Sequence, residues 1–300
     1  MLHKTQNALP RGRIWIKRAD GDSVRINDTI LGCVGFLAEY LTADESQDAV
    51  DLKGSAFAVC VPGVALPNEV FFYFVTARHI LKNLSLDRIR ILVNKHDGGR
   101  DAIKPEEWYF HPDPTVDVAI ARYNIPPWVH IRHIQLQMFL TSEIVIKRNI
   151  GLGDNVFFPG LFEIIPGEKR NAPLLRHGAI AMIPEHPIQV GSGFSEMLLI
   201  EARSVSGISG SPVFVRGTAW IREGYASVDD KTPAPIIVQS TDVYLLGMIW
   251  GHWDEDERGV NTGIAAVTPV DKIRETLYRP EAVEKRAAIE ATRMRSDSPV

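Results

Sequence analysis

Gly207-Ile208-Ser209-Gly210-Ser211-Pro212 lies between the apolar run Leu198-Leu199-Ile200 and the strand-like Val213-Phe214-Val215. A serine in a Gly-x-Ser-Gly-x-Pro corner between two strands is free of helical hydrogen bonding, and its hydroxyl can point out of the glycine-permitted turn. That is where a nucleophile belongs. Clusters of glycine, serine and proline also make ordinary turns, so this stretch alone does not choose between a loop and a reactive site.

Two upstream stretches sharpen the choice. Val70-Phe71-Phe72-Tyr73-Phe74-Val75 has strand length and runs directly into Thr76-Ala77-Arg78-His79, so His79 sits where a buried strand ends. Val116-Asp117-Val118-Ala119-Ile120-Ala121 places one carboxylate inside an otherwise apolar strand, which is costly unless something pairs with it. Singly, His79 also reads as a strand-end histidine and Asp117 as a structural partner. In the order histidine, aspartate, serine they match a nucleophile, a general base and the group that orients the base.

Thr76-Ala77-Arg78-His79, Asp117-Val118-Ala119-Ile120 and Gly207 to Pro212 resemble the three signature blocks of the chymotrypsin-like (trypsin-fold) serine peptidases, and most of all their bacterial, Deg-like branch. Further matches flank them. Gly54-Ser55-Ala56-Phe57 is similar to the family's Gly-Ser-Gly-Phe strand, and Gly151-Leu152-Gly153-Asp154-Asn155-Val156 to the Gly-Asp-x-Val strand that opens its second half. Leu245 to Gly251 and Gly263 to Pro269 resemble its last two strands, and Val270 to Leu277 its closing helix.

The resemblance implies an all-β chain of two six-stranded Greek-key β-barrels with a C-terminal helix. It divides the sequence into an extension over 1–28, an N-terminal barrel over 29–148 carrying His79 and Asp117, a C-terminal barrel over 149–278 carrying Ser209, and a helical tail over 279–300. By the same resemblance Ser209, His79 and Asp117 form the catalytic triad, and the backbone N–H groups of Gly207 and Ser209 form the oxyanion hole. Arg203, Trp250, Gly251 and His252 fall near the substrate pocket, where two basic-capable groups favour an acidic side chain if Arg203 turns inward. The implied activity is endopeptidase cleavage through an acyl-enzyme, with a peptide or protein substrate and no cofactor or metal. The other reading is a binding or scaffold module built on the same fold.

Some features depart from the family. Secreted relatives carry an aspartate before the serine that pairs with a newly cut N-terminus; Ile208 cannot, which speaks against activation by N-terminal cleavage. After position 278 only 22 of the 300 residues remain, too few for the peptide-binding domain common in Deg-type proteases.

Composition bounds the function further. A chain of 300 residues with 45% hydrophobic content can bury a sizeable core, and a net charge of −4 gives no global attraction to nucleic acid or anionic membrane. The polar N-terminus lacks a signal-peptide core and no run spans a bilayer, so the expected address is cytoplasmic. The two cysteines, Cys33 and Cys60, lie in apolar segments and read as free thiols of a reducing compartment.

Short apolar segments recur along the chain. Thr29 to Phe36, Ser55 to Val61, Arg88 to Val93, Leu174 to Ile183 and Met197 to Ile200 read as strands, with an edge strand at Arg13-Ile14-Trp15-Ile16. Ser142 to Arg148 reads as the bridge between the halves, 217–240 as a long connection, and Asp113 between two prolines as exposed loop. His130 and His133 are three positions apart and face opposite sides of a strand, which argues against a metal pair. Pro280 to Ala291 reads as a helix with charge around much of its circumference. It is therefore expected to be either a fraying terminus or a docking element for a partner protein, and deletion of 281–300 is expected to lower the melting temperature by no more than a few degrees.

Overall fold

The computed structural model describes residues 28–41, 50–66, 68–190, 193–203, 207–216, 220–223, 235–238, 242–255 and 260–296. The first half contains β1 (Val34–Tyr40), β2 (Val50–Pro62), β3 (Val70–Thr76), β4 (Ile89–Asn94), β5 (Arg100–Ile103), β6 (Glu107–Phe110), β7 (Ala119–Tyr123) and β8 (Ile134–Gln135). After α1 (Ser142–Arg148) come β9 (Asn155–Gly160), β10 (Leu174–Met182), β11 (Ile188–Val190), β12 (Gly193–Ser195), β13 (Leu198–Glu201), β14 (Pro212–Arg216), β15 (Trp220–Glu223), β16 (Pro235–Val238), β17 (Tyr244–Glu255) and β18 (Val260–Pro269). The chain closes with α2 (Val270–Leu277) and α3 (Pro280–Ser296).

The second half is the expected closed barrel of six strands, in the order β10-β13-β18-β17-β14-β9. The first half is an eight-stranded sheet, β5-β4-β1-β2-β3-β7-β6 with β8 parallel to β2, and so carries two strands more than the six expected. The connection after β14 also holds a hairpin of its own, β15 with β16.

Alternation explains why Val34 to Ala38, Ala56 to Val61 and Phe71 to Val75, within β1 to β3, read as apolar runs. Phe36, Phe57, Tyr73 and Val75 pack into one core cluster, while Leu37, Ala56, Ala58 and Phe74 pack into another on the opposite face. A strand buried on both faces has no polar side to break its pattern. The first cluster continues through Val156, Phe158, Val213 and Phe214 of the barrel, so the two halves share apolar packing.

Several local expectations are corrected. Residues Asp28–Cys33 form a 3-10 helix, and the first strand starts at Val34. The bridge at Ser142–Arg148 is a helix, because the Thr141 hydroxyl accepts from the Ile144 N–H and caps it, and Asn149 ends it in the left-handed region at φ 51°. The proposed edge strand at 13–16 lies outside the described residues.

The largest correction concerns α3. Ala282, Arg286 and Glu290, spaced at i, i+4 and i+8, are 0%, 0% and 1% exposed. They form one buried stripe against the first sheet. The Arg286 guanidinium donates to the Tyr73 hydroxyl at 3.1 Å and the Leu277 carbonyl at 2.9 Å, and it lies over the rings of Tyr73 and Tyr278. Glu290 accepts from the N–H groups of Leu66 at 3.1 Å and Ala65 at 3.3 Å in the β2–β3 connection. Arg293 pairs with Glu69, and Lys285 with Glu107. α3 is thus docked on its own sheet. Its polar composition misleads because the buried stripe is built from an arginine and a glutamate whose charged ends meet backbone and tyrosine partners. Among the described residues no helix is long and apolar enough to cross a membrane.

His130 and His133 have separate surroundings. His130 is exposed and stacks on His96 at 5.0 Å between ring centres. The Tyr123 hydroxyl lies 2.6 Å from His133 Nε2, and the His133 ring packs on Phe72. Burial pushes the His133 imidazole down to about 4. In the unfolded chain the same ring takes its proton near pH ~6.5. Stability linked to His133 is therefore complete above that pH and declines as the pH falls toward 4, because the unfolded state binds a proton the folded state refuses. Denaturant unfolding across pH 7.5 to 4.5 should show a shallower decline in His133→Gln than in the wild type, the difference approaching one proton. Parallel curves would remove His133 from the acid response.

Candidate active site

The ladder between β3 and β7 brings His79 and Asp117 together. Thr76 pairs with Ala119 in antiparallel register, so the residues just after β3 face those just before β7. Asp117 therefore sits at the entrance of its strand, two residues before β7, and not inside it as the apolar run suggested. His79 lies in the 3-10 turn Arg78–Leu81. One Asp117 oxygen accepts from His79 Nδ1 at 2.6 Å and the other from the His79 backbone N–H at 2.7 Å. A carboxylate can only accept here, so Nδ1 carries the proton and Nε2 presents its lone pair. The carboxylate is buried, while the imidazole side chain is 44% exposed.

Ser209 stands in the turn joining β13 to β14. The turn closes through Ser211 N–H to the Ile208 carbonyl at 2.9 Å, with Gly207 at φ 92° and Gly210 at φ 83°. A side chain at Gly210 would place Cβ 2.1 Å from the Ser55 carbonyl oxygen, so only glycine fits that close approach. Ile208 is buried in the core shared by both halves.

Ser55, which the sequence presented only as part of a strand, anchors this turn. Its N–H donates to the Ser209 carbonyl at 2.9 Å. Its buried hydroxyl donates to the Gly207 carbonyl at 2.9 Å and accepts from the Leu161 N–H at 2.8 Å. With the Gly207 carbonyl tied down on that side, the Gly207 and Ser209 N–H groups have no acceptor among the described residues. Ser55→Ala should leave the Leu161 N–H unpaired and free the Gly207 peptide to turn, costing about 1–3 kcal/mol of stability. If the turn is catalytic, the loss should appear in kcat, roughly tenfold or more, with KM little changed; a change in KM alone would contradict this.

The Ser209 hydroxyl donates to the Trp250 carbonyl at 3.1 Å and makes no hydrogen bond to His79. Trp250 occupies a bulge in β17, where the pairing with β18 slips between Ile249 and Gly251. The bulge also sets the Trp250 ring 6.0 Å from the His79 ring, centre to centre. Of the other residues assigned to a pocket, Gly251 borders open space and His252 is half-buried. Arg203 is exposed, and its carbonyl accepts from the Arg176 guanidinium at 2.9 Å. The structure thus gathers His79, Asp117, Ser209, Gly207 and Trp250 in one place.

A cleft of about 460 Å³ opens on the Asp117 side of His79, lined by Arg78, His79, Leu81, Lys82, Phe110, Pro114 and Asp117. The lining joins the end of β3 and its 3-10 turn to the end of β6 and the β6–β7 connection.

No protein-family model and no curated protein matches the sequence. Among solved structures, the chain is similar to the MamO protease domain from Magnetospirillum magneticum in its apo form, with TM-score 0.52 and 16% identity over 84% of this chain and 98% of that one. Deg5 matches with TM-score 0.46 and 16% identity over 81% of this chain and 86% of that one. An inactive serine-to-alanine mutant of Rv3671c from M. tuberculosis H37Rv matches with TM-score 0.45 and 14% identity over 88% and 96%. The closed barrel, the sheet before it and the likeness to the MamO domain together define the architecture: this chain has the all-β, trypsin-like fold of a serine protease domain.

Proposed function

We propose that the protein is a serine endopeptidase. The observation that carries this reading is the His79 imidazole, locked to Asp117 through Nδ1 and the backbone, beside a serine whose own N–H and that of Gly207 are both without acceptors among the described residues. In the proposed reaction Ser209 Oγ turns from the Trp250 carbonyl to His79 Nε2 and attacks the peptide carbonyl as the imidazole takes its proton. The tetrahedral oxyanion is held by the N–H groups of Gly207 and Ser209, each worth on the order of 3 kcal/mol in the transition state. His79 then protonates the leaving amine, the acyl-enzyme forms, and water repeats the sequence to release the acid. Asp117 keeps the imidazole in the required tautomer throughout.

A second reading has one observation in its favour. The Ser209 hydroxyl bonds to Trp250 and not to His79, as in a binding module that keeps the residues without the reaction. A fluorophosphonate probe separates the two: the endopeptidase reading expects labelling at Ser209 that is lost in Ser209→Ala, together with cleavage of a casein substrate. A folded protein that is neither labelled nor active would favour the binding module.

A further inference from the structure

We infer that the cleft beside His79 selects an acidic side chain on the substrate, at a position flanking the residue whose carbonyl is attacked. The inference rests on the endopeptidase reading and adds the substrate class. The cleft's lining includes His79 and Asp117 but not Ser209, Gly207 or Trp250. It therefore receives a neighbouring side chain, not the one at the scissile carbonyl.

Two cations line it, Arg78 and Lys82, and neither has a carboxylate partner among the described residues. By contrast, Arg279 is paired with Glu281, and Lys272 with Glu196 and Glu275. The one carboxylate in the lining, Asp117, has both oxygens committed to His79, so it does not answer the two cations. Arg78 is held in place by its position over the Phe110 ring, 5.4 Å from guanidinium carbon to ring centre. Lys82 is anchored by its N–H to the His79 carbonyl at 3.1 Å, with its side chain in solvent at the rim. Between them, buried Leu81 with Phe110 and Pro114 offers apolar surface for the methylene stem of a glutamate. An apolar wall flanked by two cations that have no carboxylate partner among the described residues fits a short chain that carries a carboxylate at its tip. A lysine there would meet like charge.

The test digests a random decapeptide library with the wild-type protein and sequences the products by mass spectrometry. Glu and Asp should be enriched about fivefold over Gln at one position flanking the scissile residue, the size expected of two partly solvated cations, with Lys and Arg depleted. The enrichment should shrink at 0.5 M salt and vanish in the Arg78→Gln/Lys82→Glu double variant. Ratios within one variant cancel any loss common to all peptides, and Lys82→Glu alone, an exposed change, supplies a second case if the double variant fails to fold. Cleavage without acidic enrichment, or enrichment that survives both variants, overturns the inference while leaving the endopeptidase reading intact. If the library is not cleaved and Ser209 is not labelled, the endopeptidase reading fails instead. Fluorescence anisotropy then decides the cleft, using Ser209→Ala protein and labelled alanine decapeptides that carry three Glu, Gln or Lys. Binding that is equal for Glu and Gln overturns the inference; preference for Glu that is lost in Lys82→Glu supports it.

Discussion

Ser209→Ala should lower peptide cleavage by a factor of at least ~10³ and abolish fluorophosphonate labelling while the fold persists. The fold is expected to survive because the turn is held by backbone bonds from Ser55, Gly210 and Ser211, and the Ser209 hydroxyl contributes a single bond to the Trp250 carbonyl. The sharper form of the test uses His79→Ala alongside it. If serine and imidazole act as one unit, each single substitution already removes the whole contribution, and the double variant should be no slower than either alone. Multiplying losses would mean that the two residues act independently, and wild-type-like cleavage by Ser209→Ala would remove the nucleophile altogether.

Deleting residues 281–300 should destabilise the protein by more than about 4 kcal/mol, lowering its melting temperature by roughly 10 °C or more. The loss has identifiable sources. The Tyr73 side chain, 0% exposed, would lose its cover, and the Ala65 and Leu66 N–H groups would lose the Glu290 carboxylate. A point substitution resolves the contributions further. Arg286→Ala leaves a large void beside Tyr73 and Tyr278 and should cost several kcal/mol. Arg286→Met fills most of that void and should cost much less, because the buried guanidinium leaves its Nε and Nη2 atoms without partners and so carries a desolvation penalty of its own. Thermal unfolding of the three variants checks the order. A truncated protein that melts within two or three degrees of the wild type would show that α3 is dispensable to the fold.

The linear chain already carried the strand-rich architecture and the identities of the candidate reactive residues. β3 was legible because Phe71 to Val75 packs on both faces, with only Phe72 partly exposed, so the run had to be apolar. The corner at Gly207 to Pro212 was legible because Gly207 and Gly210 take positive φ values that other residues resist. Both are local requirements, and a local requirement leaves its mark on consecutive residues. The α3 contact was misread for the converse reason: hydropathy scores Arg286 and Glu290 as solvent-facing, and only their partners in Tyr73, Leu277, Ala65 and Leu66 make burial affordable.

What tertiary structure alone decided is how distant segments meet. Ser55 reaches Gly207 across 152 positions, Trp250 offers its carbonyl to Ser209 across 41, and neither contact follows from residue type. The specific arrangement at Trp250 depends on a one-residue slip between β17 and β18, which has no signature in the sequence because any residue can occupy the bulge. The cleft of Arg78 and Lys82 likewise exists only once the Phe110 to Pro114 loop packs beside the β3 end. Glycine conformations and strand periodicity are properties of short segments and so are written in the sequence. The register of one strand against another is set by the packing of the whole, and with it the geometry of the site.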